Sequence, residues 1–143
     1  MSTNAILVDT SAWYALFDKS DSHHENAQTF LTSHVEKFQW VTTQAILWET
    51  WVLLQGRLGR GVATAYWEHM RNSNMNVIPL EPSDLEAAWH IIQKFSDQDF
   101  SLVDCATFAI MERLGISQAF TFDHHFLIYR YGSSRQNAFI CLP

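Results

Sequence analysis

Cysteines, signal-like segments and long hydrophobic runs are scarce or missing in this sequence of 143 residues. The only cysteines, Cys105 and Cys141, form no CxxC pair, and neither they nor the seven histidines have the spacing of a structural zinc site. No run approaches the ~20 apolar residues of a membrane span. The N-terminal stretch MSTNAILVD has no basic segment before a long apolar one. We therefore expect a reduced, cytoplasmic protein with no secretory signal and no membrane anchor.

Positive charge is scarce as well. Nine Lys and Arg stand against fifteen Asp and Glu, which gives a formal net charge of −6. This balance excludes a protein that coats nucleic acid through bulk charge. It does not exclude nucleic acid as a substrate, because divalent cations bound among clustered carboxylates reverse the local sign of the charge.

The chain has no internal repeat, low-complexity tract or linker, and 48% of its residues are hydrophobic against 17% charged. Such a composition folds, and the length fits a single domain over residues 1–143. Hydrophobic spacing predicts strands at residues 5–8, 38–42, 77–80, 119–122 and 138–142, and helices at 11–17, 25–35, 43–57, 62–71, 83–95 and 101–114. Strands that alternate with helices indicate an α/β fold whose parallel sheet is covered on both faces.

Four acidic residues fall at or near the edges of these predicted elements. Asp9 follows the first strand, Asp123 directly follows the fourth, and Asp104 lies in the first turn of the helix that begins at Ser101. The C-terminal ends of parallel strands meet the starts of helices at one edge of a sheet, where ligands bind. Glu49 lies in the middle of the helix predicted at 43–57, which is apolar almost all round, so its carboxylate is costly there unless a cation or a donor meets it.

Each acid also has a structural explanation of its own. Asp9 can act as a turn residue or helix N-cap, Asp104 has capping-box spacing from Ser101, and Asp123 can cap a short helix. Glu49 is the hardest of the four to explain structurally. The set is more informative than its members, because clustered carboxylates repel one another unless cations bind between them. Oxygen ligands select Mg²⁺ or Mn²⁺, and such a site suits metal-assisted attack of water on a phosphodiester.

Four segments of the sequence resemble the four acidic motifs of the PIN domain family, in the family's order and rough spacing. They are VDTSAW at 8–13, the helix with Glu49 and Thr50, SLVDCATFAIMERLG at 101–115, and TFDHHF at 121–126. No single motif is specific, whereas four in sequence are. The length, and His24 before the second helix, resemble the VapC-like toxins of toxin–antitoxin pairs.

This resemblance implies a three-layer α/β/α sandwich with a central parallel sheet and a Mg²⁺- or Mn²⁺-dependent ribonuclease. Asp9, Glu49, Asp104 and Asp123 match the family's acidic positions and are the implied catalytic and metal-binding residues. The resemblance also implies an RNA substrate, a homodimer and neutralisation by a small antitoxin. The alternative is a non-catalytic PIN-like module that binds RNA or a protein partner. The presence of all four acids disfavours that alternative.

Further residues are candidates for substrate binding. Ser11 and Thr121 lie beside the predicted site, where each hydroxyl has either a metal-bound water, a phosphate or a backbone group as its partner. Arg57 and Arg60 fall in a predicted glycine-rich loop beyond the Glu49 helix, and we expect them to hold the RNA backbone, with a solvated loop as the alternative. The histidine pairs at 23–24 and 124–125 are either ligands or bases, or, more simply, surface residues. Most tryptophans have helical spacing and are expected in the core, with some left for a dimer or antitoxin groove.

Overall fold

A single sheet of five parallel strands organises the protein, of which the computed structural model describes residues 4–143. Along the chain the strands are β1 (Ala5–Val8), β2 (Gln39–Thr43), β3 (Asn76–Ile78), β4 (Gln118–Phe120) and β5 (Ile140–Leu142). Their order across the sheet is β3-β2-β1-β4-β5, and every neighbouring pair is parallel. Residues 1–3, which begin the stretch where the sequence predicts no secretory signal, lie outside the described part.

Helices cover both faces of this sheet. They are α1 (Thr10–Phe17), α2 (His24–His34), α3 (Gln44–Leu58), α4 (Arg60–Arg71), α5 (Pro82–Lys94), α6 (Leu102–Leu114) and α7 (His125–Ile128). Right-handed crossovers place the helices that follow β1 and β2 on one face and those that follow β3 and β4 on the other. The packing agrees, since α1 contacts α2 and α3, α3 contacts α4, and α5 contacts α6. The predicted three-layer α/β/α sandwich is confirmed.

The strand order reverses between β1 and β4. From β1 the chain moves outward to β2 and β3, then crosses to the other side of β1 to form β4 and β5. All four residues of β1 are buried, which explains their continuous apolar character. Loops at such a reversal diverge to opposite faces of the sheet and leave a crevice at its C-terminal edge. Asp9 and Asp123 follow the two strands that border this crevice.

The glycine-rich loop predicted around Arg57 and Arg60 does not exist. α3 continues through Arg57 to Leu58, α4 begins at Arg60, and Gly59 alone joins the two helices. Gly59 has a φ of +93°, a backbone conformation that glycine adopts without the steric cost of a Cβ atom. The sequence prediction was wrong because glycine is a poor but tolerated helix former, and the apolar packing of α3 against α4 outweighs its propensity.

Smaller differences concern the ends of elements. α5 begins at Pro82 instead of residue 83, because Glu81 serves as its N-cap and forms a reciprocal capping box with Asp84. β4 ends at Phe120, two residues earlier than predicted, so Asp123 does not directly follow the strand. The side chain of Thr121 bonds Asp9, and the chain turns away from the sheet after it.

The third helix is also less buried than its composition predicts. Trp48 is 72% exposed and Val52 is 64% exposed, although both lie on α3. The helix therefore presents an apolar face that no other part of the described chain covers. Among residues 4–143, no helix combines the length and the hydropathy needed to cross a membrane.

Candidate active site

One open pocket at the C-terminal edge of the sheet brings the four predicted acids together. Asp9, Glu49, Asp104 and Asp123 all line it. Each arrives from a different element: Asp9 from the end of β1, Glu49 from α3, Asp104 from the first turn of α6 and Asp123 from the turn before α7. Residues more than a hundred positions apart in the sequence thus share one cavity.

Asp9 is the most deeply placed of the four. Its Oδ2 accepts hydrogen bonds from the Ser11 hydroxyl at 2.8 Å, the Thr121 hydroxyl at 3.0 Å and the Ser11 backbone N–H at 3.3 Å. It is at once the N-cap of α1 and a pocket residue. Burial raises the pKa of Asp9 to about 7, and the charges of Asp104 and Asp123 add to the rise, while the two hydroxyls oppose it.

Asp104 likewise has a capping and a pocket role. Its Oδ2 accepts the Ser101 backbone N–H at 3.1 Å, and the Ser101 hydroxyl accepts the Asp104 backbone N–H in return. The same Oδ2 lies 2.9 Å from Nδ1 of His125. Burial raises the pKa of Asp104; the charge of Asp123 adds to the rise, while the bonds to Ser101 and His125 oppose it. The capping explanation is therefore correct, and it does not remove the carboxylate from the pocket.

Glu49 is half-buried, and the pKa of its carboxyl is raised. Burial is the main cause, the nearby Thr10 hydroxyl opposes it, and the charges of Asp104 and Asp123 contribute to the rise. Thr10 Oγ1 lies near enough to Glu49 to lower its pKa, yet it meets the full geometry of a hydrogen bond with no group. Within residues 4–143, Thr10 Oγ1 is the one buried side-chain oxygen or nitrogen of this kind, and Thr10 lines the same pocket.

Asp123 and the two histidines after it form the tightest group of potential metal ligands. One ligand atom from each of Asp123, His124 and His125 lies within 4.8 Å of the other two, and within the described chain no other set of three is this compact. The four acids therefore surround the pocket without converging on one point. His125 is only 17% exposed at its side chain and lies between Asp104 and Asp123, so the prediction of a surface histidine was wrong for it.

The carboxylates of this pocket, from Asp9, Glu49, Asp104 and Asp123, fit a hard divalent ion. Carboxylate oxygens are the ligands that Mg²⁺ and Mn²⁺ prefer, and a pocket with several of them leaves room for bound water. The unpartnered Thr10 hydroxyl offers one more oxygen at the pocket wall. Burial first, and then the charges of neighbouring carboxylates, raise the pKa values of Asp9, Glu49 and Asp104, and a bound cation relieves this cost.

The other predicted residues divide into two groups. Ser11, Thr121 and Arg57 lie at the site: the two hydroxyls bond Asp9, and the Arg57 guanidinium sits over the Tyr14 ring, 5.3 Å from its centroid, at the pocket wall. Arg60 lies at the exposed start of α4 and is not among the pocket residues.

Sequence analysis left His23 as a ligand, a base or a surface residue and did not name Tyr14 or Asp21, and all three line the pocket. Thr10, Leu53 and Phe122 also line it and were not named as site residues. Tyr14 lies four residues after Thr10 on α1, and this spacing, which puts both side chains on one face of the helix, was a usable signal. Asp21 and His23 lie in the turn between α1 and α2, and no local pattern in the sequence indicates that this turn reaches the sheet edge.

The burial of Asp9 predicts a pH dependence of stability in EDTA. The folded-state pKa of about 7 lies above the ordinary value of 3.8, so between these pH values the folded protein binds a proton that the unfolded chain releases. Stability from this group is therefore present at low pH and lost as the pH rises through 7. We expect the melting temperature in EDTA to fall from pH 5 to pH 8 less steeply for Asp9→Asn than for the parent protein.

Differential scanning fluorimetry across this pH range measures the effect. Asp97→Asn is the matched control, because it removes one negative charge from an exposed position outside the pocket. It should keep the parent slope. Parallel curves for the parent and Asp9→Asn would contradict the assignment of a raised pKa to Asp9.

Comparison with known proteins agrees with this geometry. The family model described as the PIN domain matches residues 6–131. Two curated proteins, each described as the 23S rRNA-specific endonuclease VapC20, from two strains of Mycobacterium tuberculosis, are 34% identical over 122 residues, which is 85% of this chain and 91% of theirs. The crystal structure of Mycobacterium tuberculosis VapC20, described as a sarcin-ricin loop cleaving toxin, superimposes with a TM-score of 0.80 at 31% identity, covering 87% of this chain and 94% of that one. The chain belongs to the PIN domain family, in its VapC-like branch.

Proposed function

We propose that this VapC-like ribonuclease uses Mg²⁺ or Mn²⁺ to hydrolyse RNA, and that its target is the sarcin-ricin loop of 23S rRNA. The observation that carries the proposal is that Asp9, Glu49, Asp104 and Asp123, from four different elements, line one pocket. The choice of target rests on VapC20, which is 34% identical over most of both chains and is described as cutting that loop. Because ribosomal RNA is the proposed substrate, we place the activity in the cytoplasm.

Each acid has a proposed task that follows from its surroundings. Asp9, Asp104 and Asp123 hold the cation, directly or through water. When bound, the cation lowers the pKa of a coordinated water and stabilises the charge that grows on the phosphate. Glu49, whose pKa is raised by burial, accepts a proton from the attacking water more readily than an ordinary glutamate, or helps to hold a second cation.

The residues around Asp9 keep its carboxylate in one orientation. Ser11 and Thr121 donate to the same oxygen, Oδ2, which leaves Oδ1 free of these bonds for a ligand. The two hydroxyls also lie 3.2 Å from each other, so the three side chains form a closed triangle. We propose that Ser11 and Thr121 act by positioning Asp9 and reach the substrate only through it.

A cleavage assay on a synthetic sarcin-ricin loop hairpin tests the proposed function. We expect cleavage in Mg²⁺ or Mn²⁺, none in EDTA, and a loss of at least a hundredfold in Asp9→Asn, since that change removes a ligand charge. Far-ultraviolet circular dichroism should show that the variant is folded. Asp97→Asn, outside the pocket, is the control and should cleave like the parent.

The alternative, a non-catalytic PIN-like module, predicts different results. Such a module would bind the hairpin without cutting it, and binding would not respond to Asp9→Asn. Equal cleavage in EDTA and in Mg²⁺ would reject the metal-dependent mechanism. Cleavage of unrelated hairpins at the same rate would reject the sarcin-ricin loop as the specific target.

The two arginines should contribute unequally to RNA binding. Arg57 lies at the pocket wall against Tyr14, whereas Arg60 is outside it, so only Arg57 is placed to meet a phosphate near the acids. We expect Arg57→Ala to weaken binding by roughly tenfold and to reduce the slope of binding against salt by about one counterion. Arg60→Ala, which removes the same charge three residues away, is the matched control. Fluorescence anisotropy at several salt concentrations measures the slope of binding against salt. Equal slopes for Arg57→Ala and Arg60→Ala would contradict the assignment of a phosphate contact to Arg57 alone.

We also propose that a small antitoxin protein covers an apolar groove on α3 and α4. The groove, called the tryptophan groove below, is lined by Trp48, Trp51, Val52 and Trp67. Such an exposed apolar patch is typical of a protein interface. The homodimer stays a prediction from the family resemblance. In that case a second copy of this chain, instead of the antitoxin, would occupy the tryptophan groove.

Charge introduced into the tryptophan groove distinguishes these occupants. Trp48→Glu should abolish co-purification with the product of the neighbouring open reading frame, because burial of an unpaired carboxylate is costly. Trp89→Glu is the control, since Trp89 is an exposed tryptophan on α5, outside the groove. Sedimentation of each purified variant reports the oligomeric state. If Trp48→Glu binds the partner as the parent does, but sediments as a smaller species, the groove is a dimer interface instead.

A further inference from the structure

An aromatic pair, the exposed His23 and the half-buried Phe122, lies at the rim of the acidic pocket. The imidazole ring of His23 stacks on the phenyl ring of Phe122, with 4.4 Å between centroids and 10° between planes. Both residues line the pocket, and His23 is exposed. One face of the imidazole is therefore covered by Phe122, and the other is open to a ligand.

Within residues 4–143, the side chain of His23 has no hydrogen-bonding or capping role beside its stacking on Phe122. His23 precedes α2 as its N-cap, yet its side chain makes no capping bond; its backbone N–H donates to Asp21 and its carbonyl accepts from Ala27. Within the described part of the chain, neither ring nitrogen has a hydrogen-bond partner. The next residue differs, since Nδ1 of His24 lies 2.7 Å from the Ala15 carbonyl oxygen and anchors α2 to α1.

Phe122 is tied directly to the catalytic network. Its backbone N–H donates to the Ser11 hydroxyl at 2.9 Å, and that hydroxyl donates to Asp9. Asp123 is the next residue in the chain. The position of the stacked pair relative to the acids is thus set by short bonds and by one peptide link, which gives it the rigidity that a binding platform needs.

We propose that the stacked pair of His23 and Phe122 is a platform for one nucleobase of the RNA, next to the phosphate that is cut. A flat, open ring beside the acids offers a base a surface on which to stack, and such stacking accepts any base because each has a π-face. A base suits this position better than a phosphate, because the carboxylate of Asp21 lies beside His23 and repels a second anion. This inference rests on the proposed function, since it names a substrate contact of the same site.

Binding of the sarcin-ricin loop hairpin to uncleaving protein tests the platform. In an Asp9→Asn background, His23→Ala should raise Kd about tenfold, the size of one lost base stack, with the melting temperature unchanged. His23→Phe keeps a flat ring and should restore Kd to within about twofold, since stacking does not need the imidazole nitrogens. Fluorescence anisotropy of the labelled hairpin gives each Kd.

His34→Ala is the matched control. His34 also stacks on a phenylalanine of the same protein, Phe30, with centroids 4.3 Å apart, but it does not line the pocket. It should leave Kd unchanged. A rise in Kd for His34→Ala equal to that for His23→Ala would overturn the platform, because any disturbance of α2 would then explain both.

A series of hairpins with one abasic nucleotide each identifies the stacked base. Loss of the stacked base should raise Kd for the Asp9→Asn protein, and His23→Ala should then raise Kd no further. Loss of any other base should do neither. If His23→Ala raises Kd about tenfold on every abasic hairpin, the histidine does not stack on a base and the platform is refuted. If the Asp9→Asn protein does not bind the hairpin and the parent does not cut it, the proposed target fails and the platform fails with it. If the parent cuts the hairpin but His23→Ala leaves Kd unchanged, the platform alone is wrong.

Discussion

The burial of the Asp9 carboxylate at the reversal point of the sheet is the constraint on which the rest of the site depends. Asp9 directly follows β1, serves as the N-cap of α1 and accepts a hydrogen bond from the hydroxyl of Thr121, which directly follows β4, so one carboxylate joins the two strands that border the crevice. Ser11 extends the same network to Phe122. A change in the position of Asp9 therefore moves both sides of the pocket, so this residue has a structural role beside its proposed catalytic one.

The pocket holds four carboxylates close together, although like charges repel one another. Asp9, Glu49 and Asp104 all have raised pKa values, with burial as the first cause and neighbouring carboxylates as a second. Such groups lower the stability of the cation-free protein at neutral pH. The protein tolerates them because the sheet and its helices are firmly packed elsewhere, with β1 fully buried. This is the usual compromise between a stable fold and a strained functional site.

How far the sequence predicts the structure depends on whether a feature is local. The buried strand at Ala5–Val8 and the capping box of Ser101 and Asp104 were predicted correctly, because both follow from residues close together in the chain. The loop around Arg57 and Arg60 was predicted wrongly, since helix packing outweighed the weak propensity of Gly56 and Gly61. The exposed face of α3 was also missed, because an all-apolar helix looks buried from composition alone.

By itself the sequence determined the α/β class, the PIN domain family and the four acids, since periodicity, motif order and residue type are properties of the chain. Only the tertiary structure decided which groups share the pocket with those acids. His125 lies between Asp104 and Asp123. The guanidinium of Arg57 lies over the ring of Tyr14, and His23 stacks on Phe122. These contacts join residues up to a hundred positions apart, and they depend on crossovers and on the turn after β4. No local pattern encodes them, because a contact between distant residues is set by how whole elements pack.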